Sequence, residues 1–67
     1  MAGIPDLCIP EPSKDYHGAF IELKAGKNSL TDTQREQILK LKDRGYFVEV
    51  CRSLDEFIQI TGQYLIL

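Results

Sequence analysis

A strand, a helix and a second strand follow one another in residues 19–51, AFIELKAGKNSLTDTQREQILKLKDRGYFVEVC. In the first of these, Ala19, Ile21 and Leu23 fall on one face of an extended segment, which is the two-residue period of a strand. Residues 46–51 repeat this period. A strand, a helix and a further strand close as a right-handed crossover with parallel strands. We therefore predict an α/β fold around one parallel pair.

The helix between these strands is predicted over residues 31–44. Thr31 and Gln34 have the spacing of a capping box, and Gly45 stands where helices commonly end. Ile38 falls on the same face as Gln34, as expected for a helix that packs on a sheet.

Elements on either side complete a predicted order of β-β-α-β-α. Residues 7–9 form an apolar run between two prolines, which is typical of a short strand, and residues 10–18 are a polar loop. Ser53 and Glu56 predict a second capping box. The apolar stripe expected of the helix that follows is Leu54, Phe57, Ile58, Thr61, Tyr64 and Leu65. The length of 67 residues predicts one domain, residues 1–67.

Composition excludes several classes of protein. The net charge is −2 and the pI is about 5.2, unlike the strongly basic chains that bind polyanions through charge alone. Residues 24–52 hold a local excess of basic side chains, compatible with a phosphate-handling site, although a mixed solvated surface is the simpler interpretation. Two cysteines make no disulfide framework. With no apolar run long enough for a bilayer and no signal-peptide pattern, we expect a cytoplasmic setting.

Chemistry is concentrated in the first predicted hairpin. If Ile9 faces Ala19 in an antiparallel pair, Asp6 faces Glu22, and two carboxylates directly opposite one another repel. Lys24 follows on the same face as Glu22, about 6.6 Å along the strand. Mg²⁺, which commonly uses one or two carboxylates, would remove the repulsion. Lys24 would then hold a water molecule or neutralise a phosphate.

These residues carry a resemblance to a known family. GIPDL followed by FIELKAG looks like the PD-(D/E)xK nuclease signature, in which Asp6 matches the acid of P-D and Glu22 and Lys24 match E-x-K. With the helix and strand of LTDTQREQILKLKDRGYFVEVCRS, the chain is similar to the virus-type replication-repair nuclease domain, VRR-NUC. The similarity extends from residue 3 to about residue 65.

The resemblance implies a metal-dependent, structure-selective DNA endonuclease that acts on branched DNA such as four-way (Holliday) junctions. Asp6, Glu22 and the backbone carbonyl of Leu23 would hold Mg²⁺ or Mn²⁺. Lys24 would orient the nucleophilic water, and Gln34 would support the metal-bound water or the scissile phosphate. The implied setting is a bacterium or a phage-infected cell, and the basic residues expected to contact DNA are Lys27, Arg35 and Lys42.

The resemblance also implies what this chain lacks. The family's domain has a helix and usually a strand before G-x-P-D, and that helix carries a further acidic residue that nothing here matches. The expected fold is a minimal PD-(D/E)xK restriction-endonuclease-like core without those elements, either truncated or completed by a partner. The alternative function is a non-catalytic DNA-binding or assembly module that keeps the nuclease fold. Composition alone would also suit a small α/β interaction domain.

Each candidate residue has a purely structural interpretation as well. Asp6 suits a turn after a proline, Glu22 and Lys24 fit an exposed strand face, and Gln34 needs only its capping role. The other candidates are expected to be structural, with His17 in a solvated loop and Cys8 and Cys51 as small core residues.

A homodimer, with or without exchanged elements, is expected from the small size of the chain. So short a chain buries only about 60% of its unfolded surface, and an open sheet edge or apolar face invites pairing. A two-fold dimer would cover it in both copies. The apolar residues expected to supply this surface include Ile4, Phe20, Phe47, Tyr64, Leu65, Ile66 and Leu67.

Overall fold

The computed structural model describes residues 5–67, and its elements follow the expected order. The strands are β1 (Leu7–Ile9), β2 (Ala19–Leu23) and β3 (Phe47–Cys51), and the helices are α1 (Asp32–Asp43) and α2 (Leu54–Leu65). Neither of these helices has the length and apolar character needed to cross a bilayer.

The three strands form one sheet in the order β1-β2-β3. β1 runs antiparallel to β2 with Ile9 opposite Ala19, which confirms the register expected from the sequence. β2 and β3 run parallel, with Ala19 opposite Phe47 and Glu22 opposite Val50. The predicted parallel pair is therefore confirmed, and both edges of the sheet, β1 and β3, lack a further strand among residues 5–67.

The two helices cover opposite faces of the sheet. α1 is joined to the face of Glu22 by a hydrogen bond from Gln34, while the Tyr64 ring of α2 packs 5.2 Å from the ring of Phe47. Glu22 and Phe47 belong to opposite faces, because Phe47 shares a face with Ala19 in the parallel register. On the α2 face, the side chains with 1% exposure or less are Ala19, Ile21, Cys51 and Tyr64.

Local sequence signals set the ends of α1. Thr31 Oγ1 accepts from the Gln34 N–H and Gln34 Oε1 accepts from the Thr31 N–H, which confirms the reciprocal capping box. Gly45, at φ 91°, follows the end of the helix, and a Cβ there would lie 2.8 Å from His17 Cδ2. The positive φ favours glycine here, and a Cβ would also displace the exposed His17 ring.

The second predicted capping box forms only in part. Ser53 Oγ accepts from the Glu56 N–H, as expected. The Glu56 carboxylate accepts instead from the N–H of Arg52, one residue before the cap, at 2.9 Å. The predicted start of α2 is confirmed, but the Glu56 side chain bonds the N–H of Arg52 and not that of Ser53.

Three of the six residues predicted for the apolar stripe of α2 do not pack on the sheet. Tyr64 is buried and Phe57, Ile60 and Thr61 are half-buried, so this strip faces the sheet. A sheet of three short strands is narrow, and only a strip about one side chain wide finds partners on it. The other predicted members are exposed, at 71% for Leu54, 57% for Ile58 and 57% for Leu65.

Two further expectations about apolar residues are corrected. Tyr64 and Phe47, assigned to a dimer surface, pack against each other inside the chain, and Tyr64 donates to the carbonyl of Glu11 at 2.6 Å. Cys51 is a core residue as expected, but Cys8 is exposed because β1 is an edge strand. Ile4, also assigned to that surface, lies outside the described residues.

Candidate metal and nuclease site

The acidic residues singled out in the sequence meet where β1 begins and β2 ends. Continuing the observed register by one residue puts Asp6 opposite Glu22. Asp6 lies in a bend directly before β1, and its Oδ2 accepts from the backbone N–H of Leu23 at 2.8 Å. The turn role and the site role of Asp6 are therefore compatible, because this bond holds the bend and aims the carboxylate at the end of β2.

The backbone N–H groups at the end of β2 alternate in direction, and this brings the carboxylate of Asp6 close to Glu22. The Lys24 N–H points to β3, where it donates to the Cys51 carbonyl at 3.0 Å. The backbone N–H groups of neighbouring residues in a strand point to opposite sides, so the N–H of Leu23 points to β1. Asp6 lies outside β1, but its bond to the Leu23 N–H holds its carboxylate beside the residue that follows Glu22, and its negative charge acts on the pKa of Glu22.

Glu22 is the buried member of the pair, with 3% of its surface exposed. Its Oε1 accepts from Gln34 Nε2 at 3.1 Å, while its Oε2 is buried without a hydrogen-bond partner among residues 5–67. Burial raises the pKa of the Glu22 carboxyl above its ordinary value, and the nearby Asp6 raises it further. The structural alternative of an exposed strand face is therefore wrong for Glu22.

Gln34 joins the start of α1 to the site. Its Oε1 accepts from the Thr31 backbone while its Nε2 donates to Glu22. The capping role is confirmed at one end of the amide, and the other end contacts Glu22. Support of a metal-bound water or of the scissile phosphate by Gln34 stays a prediction. Because both ends are engaged within the chain, Gln34 acts on the site by fixing the Glu22 carboxylate.

Lys24 supplies the positive charge beside the two acids. It is half-buried at the end of β2, and it acts against the rise in the pKa of Glu22. In the described part of the chain, the only ion pair within 4.0 Å joins Arg35 to Asp32 on the exposed surface of α1. The Lys24 ammonium is therefore not committed to an internal salt bridge there.

Among the described residues, the other residues predicted for function make no hydrogen bond or ion pair with these acids. Arg35 is paired with Asp32 at 3.1 Å, and Lys27 is exposed in the loop after β2. Lys42 is eight residues beyond Gln34 on α1, about 12 Å along the helix. His17, exposed as expected, bonds Gly45 through its backbone near the opposite end of β2. The predicted DNA contacts stay predictions.

Arg52 has a role that sequence reasoning missed. Its guanidinium Nη1 donates to the carbonyls of Gly26 at 3.2 Å and Asn28 at 2.6 Å. These bonds tie the loop between Lys24 and α1 to the end of β3. The only sequence signal was a basic residue directly after a strand, which carries no information about a contact 24 or more residues away.

The donor set fits a hard divalent cation that keeps several of its waters. Residues 5–67 contain no group of three His, Cys, Asp or Glu side chains placed to hold a metal ion. Asp6 and Glu22 nevertheless supply two carboxylates, and Mg²⁺ is commonly bound by one or two carboxylates together with water and phosphate oxygens. The unpartnered Oε2 of Glu22 is a buried acceptor of the kind that such an ion satisfies.

Comparison with known proteins finds a matching family model and a similar solved structure. The model of the VRR-NUC domain family matches residues 1–55, which include every strand, α1 and the residues of the site. None of the curated proteins compared with the chain matches it.

A solved structure described as a VRR-NUC domain protein is 38% identical in sequence and superimposes with a TM-score of 0.90. The match covers 96% of this chain and 54% of that one, so this chain spans about half the length of its solved relative. Identity and superposition at this level extend the likeness from the motif to the whole arrangement of strands and helices.

Proposed function

We propose that this chain, which belongs to the VRR-NUC domain family, hydrolyses DNA phosphodiester bonds with Mg²⁺ or Mn²⁺ held at Asp6 and Glu22. The family has a nuclease-type fold. The observation that carries the proposal is the buried Glu22 carboxylate, with one oxygen unpartnered. A second acid, Asp6, is held beside it by a bond to the Leu23 N–H. Burying an acid next to another acid is unfavourable without a cation, so the arrangement is explained by a ligand of positive charge.

The chain's own residues divide the work of hydrolysis. Water adds across one P–O bond and leaves a phosphate monoester and a hydroxyl group. The bound cation supplies Lewis-acid polarisation of the phosphate. Asp6 and Glu22 hold the cation, aided by the Leu23 carbonyl oxygen. Lys24 orients the attacking water and offsets negative charge on the phosphate, and Gln34 keeps the Glu22 carboxylate in place.

The net charge of the site supports this assignment. With Asp6, Glu22 and Lys24 all ionised, the site carries one net negative charge, and a divalent cation changes it to one positive charge. A site of this sign attracts a phosphate diester only when the metal is bound. Metal binding and DNA binding are therefore expected to be coupled at this site.

A symmetric branched substrate follows from a symmetric assembly. Leu54, Ile58 and Leu65 are spaced along one exposed side of α2, and Leu7 and Leu23, also part-exposed, line an open groove of about 560 Å³ with Leu54. A two-fold dimer that buries this surface would present two equivalent sites, which suits paired cuts on a four-way junction. Exchange of elements between the copies is one way of forming it.

Cleavage of a labelled four-way junction tests the nuclease. We expect nicks only with Mg²⁺ or Mn²⁺, and none with Lys24→Ala. Junction binding by this variant should stay within about tenfold, near 1.4 kcal/mol, because one charge is a small part of a contact with many phosphates. Lys40→Ala, which alters an exposed lysine near the far end of α1, is the matched control and should cleave normally. Equal loss of cleavage and binding with Lys24→Ala would make Lys24 a binding residue only.

The dimer has its own test. Light scattering coupled to size exclusion, at micromolar concentration and moderate salt, should give about twice the 7.6 kDa mass of one chain. Ile58→Glu should shift the species to one chain without changing the fold, because Ile58 is exposed. A single-chain mass for the unaltered protein would remove the geometric basis for symmetric junction cleavage and leave single-site nicking.

A non-catalytic DNA-binding module is the second candidate, and one observation favours it. The described residues hold two acidic side chains at the site and no cluster of three metal-binding groups. If this candidate is correct, the junction is bound but not cut at any metal concentration.

A further inference from the structure

We propose that Arg52 is a positioning residue, which fixes the loop after β2 so that Lys27 binds a DNA phosphate a few nucleotides from the one that is cut. This loop comprises residues 24–31, between β2 and α1. The inference rests on the proposed function for its ligand, a DNA strand, and it deepens that function by naming how the strand is held beside the metal site. The contacts of Arg52 stand on the structure alone.

Arg52 holds the loop by the two residues that flank Lys27. Its Nη1 donates to the carbonyl oxygen of Gly26 at 3.2 Å and to that of Asn28 at 2.6 Å. Within the loop, the Asn28 N–H also donates to the Ala25 carbonyl at 3.1 Å, and Gly26 has a φ of 55°. The backbone on both sides of Lys27 is therefore bonded, although Lys27 and its two neighbours are exposed.

The side chain of Arg52 starts from a fixed place in the fold. Arg52 follows Cys51, the last residue of β3, whose carbonyl accepts from the Lys24 N–H at 3.0 Å. The N–H of Arg52 donates to the carboxylate of Glu56, in the first turn of α2, at 2.9 Å. Arg52 and Lys24 line the same open groove. The guanidinium thus connects the loop to β3 and α2 directly beside the candidate site.

Lys27 is a cation that these bonds hold near the site. It is exposed, and no carboxylate lies within 4.0 Å of it among residues 5–67. The loop itself carries two lysines and no acid. Lys27 is three residues after Lys24, so their Cα atoms are at most about 11 Å apart, which corresponds to about three nucleotides along one strand. A strand that is cut beside Lys24 has further phosphates at this distance, where Lys27 can meet one.

The bonds from Arg52 matter for binding because they order the loop in advance. A loose loop loses backbone freedom when one of its residues binds a ligand, and this loss weakens the contact. Asp6, Glu22 and Lys24 are held by other bonds, to Leu23, Gln34 and Cys51. Loss of the Arg52 bonds should therefore weaken DNA binding without slowing the cleavage of DNA that is already bound.

The variant that tests this inference is Arg52→Met, which removes the donors and keeps a long side chain. Junction affinity is measured in the Lys24→Ala protein with Mg²⁺, because that protein is expected to bind without cutting. We expect Arg52→Met and Lys27→Ala each to weaken binding about three- to tenfold. Combined in one chain, they should weaken binding no more than Lys27→Ala alone, because both changes remove the same contact.

Two further variants separate the hydrogen bonds of Arg52 from its charge. Arg52→Lys keeps the charge but lacks the planar guanidinium, so it should recover little of the lost affinity. Arg44→Met removes an equal charge from the exposed end of α1 and should leave the affinity within about twofold. NMR relaxation measures the order parameter of the Lys27 amide, which we expect near about 0.85 in the unaltered protein and below about 0.6 in Arg52→Met.

The outcomes separate this inference from the proposed function. Losses that do not multiply in the double variant, with a loosened Lys27 amide in Arg52→Met, support the inference. Losses that multiply would make Arg52 a DNA contact of its own and overturn it, as would an unchanged amide, full recovery with Arg52→Lys, or slower single-turnover cleavage by Arg52→Met at saturating protein. If the junction is bound but never cut, the proposed hydrolysis fails while the binding measurements still decide the role of Arg52. If the unaltered protein does not bind the junction, both fail.

Discussion

Replacing Glu22 with glutamine should stabilise the metal-free protein while removing its metal response. The carboxylate is 3% exposed and has one oxygen without a hydrogen-bond partner among residues 5–67. In Glu22→Gln the retained oxygen still accepts from Gln34, and the new amide N–H can donate to Asp6. The buried polar atom that lacked a partner then forms a hydrogen bond, and repulsion between two carboxylates is replaced by attraction between an amide and a carboxylate.

The magnitude follows from that exchange. Leaving a buried acceptor unsatisfied costs about 1–3 kcal/mol, so we expect a gain of that size in the free energy of unfolding at pH 7. In a domain of this length each kcal/mol raises the melting temperature by about 4–8 °C. Thermal unfolding in EDTA measures it. Glu36→Gln is the matched control, since Glu36 is an exposed acid on α1, and its effect should stay within about 0.5 kcal/mol.

The stability difference between the unaltered protein and Glu22→Gln should depend on pH in one direction. The pKa of Glu22 is raised above its ordinary 4.5, so the folded protein keeps its proton at pH values where the unfolded chain has released it. The stability of the unaltered protein therefore falls as pH rises from about 4.5 through the raised pKa. Glu22→Gln lacks this loss, and its advantage should be absent below pH 4.5 and complete above that range. A variant that is less stable at pH 7, or an advantage equal at all pH values, would refute the reasoning.

The remaining variants test the partners of Glu22. Asp6→Asn should leave the melting temperature in EDTA unchanged or raised, because the repulsion is removed, and should abolish any increase caused by millimolar Mg²⁺; a wild type without such an increase would mean that the metal site is absent or too weak to matter. Gln34→Glu keeps the acceptor for the Thr31 N–H but loses the donor to Glu22, so in urea unfolding it should cost about 1–3 kcal/mol at pH 7 and less at pH 4, where Glu22 is protonated. If Gln34→Glu and the unaltered protein had the same stability at each pH value, the Gln34–Glu22 bond would contribute nothing.

The local elements could be predicted because their signals lie within a few residues of one another. Thr31 and Gln34 are neighbours on the first turn of α1, and their capping box forms in the structure as the spacing predicts. The alternation of β2 is equally local, and with Leu7–Ile9 it was enough to place Ile9 opposite Ala19. The resemblance to the VRR-NUC family added the identity of the acids, and the family match confirms the family.

The contacts that only the folded chain makes were beyond reach of these patterns. An apolar stripe on α2 does not say how wide a surface it meets, and two residues predicted for that stripe, Leu54 and Ile58, are exposed. Cys8 was assigned to the core because strand residues usually pack, but whether β1 lies at an edge is a property of the whole sheet.

The candidate site combines features that the sequence determines with features that only the folded chain decides. The sequence alone determined that Asp6, Glu22 and Lys24 would share one end of a hairpin, because strand period and register are properties of the chain itself. Tertiary structure alone decided that α1 would cover Glu22, engage one of its oxygens through Gln34 and leave the other without a partner in the described chain. Burial and hydrogen-bond satisfaction depend on groups distant in sequence, and they set the charge, the pKa and the expected metal affinity of these acids.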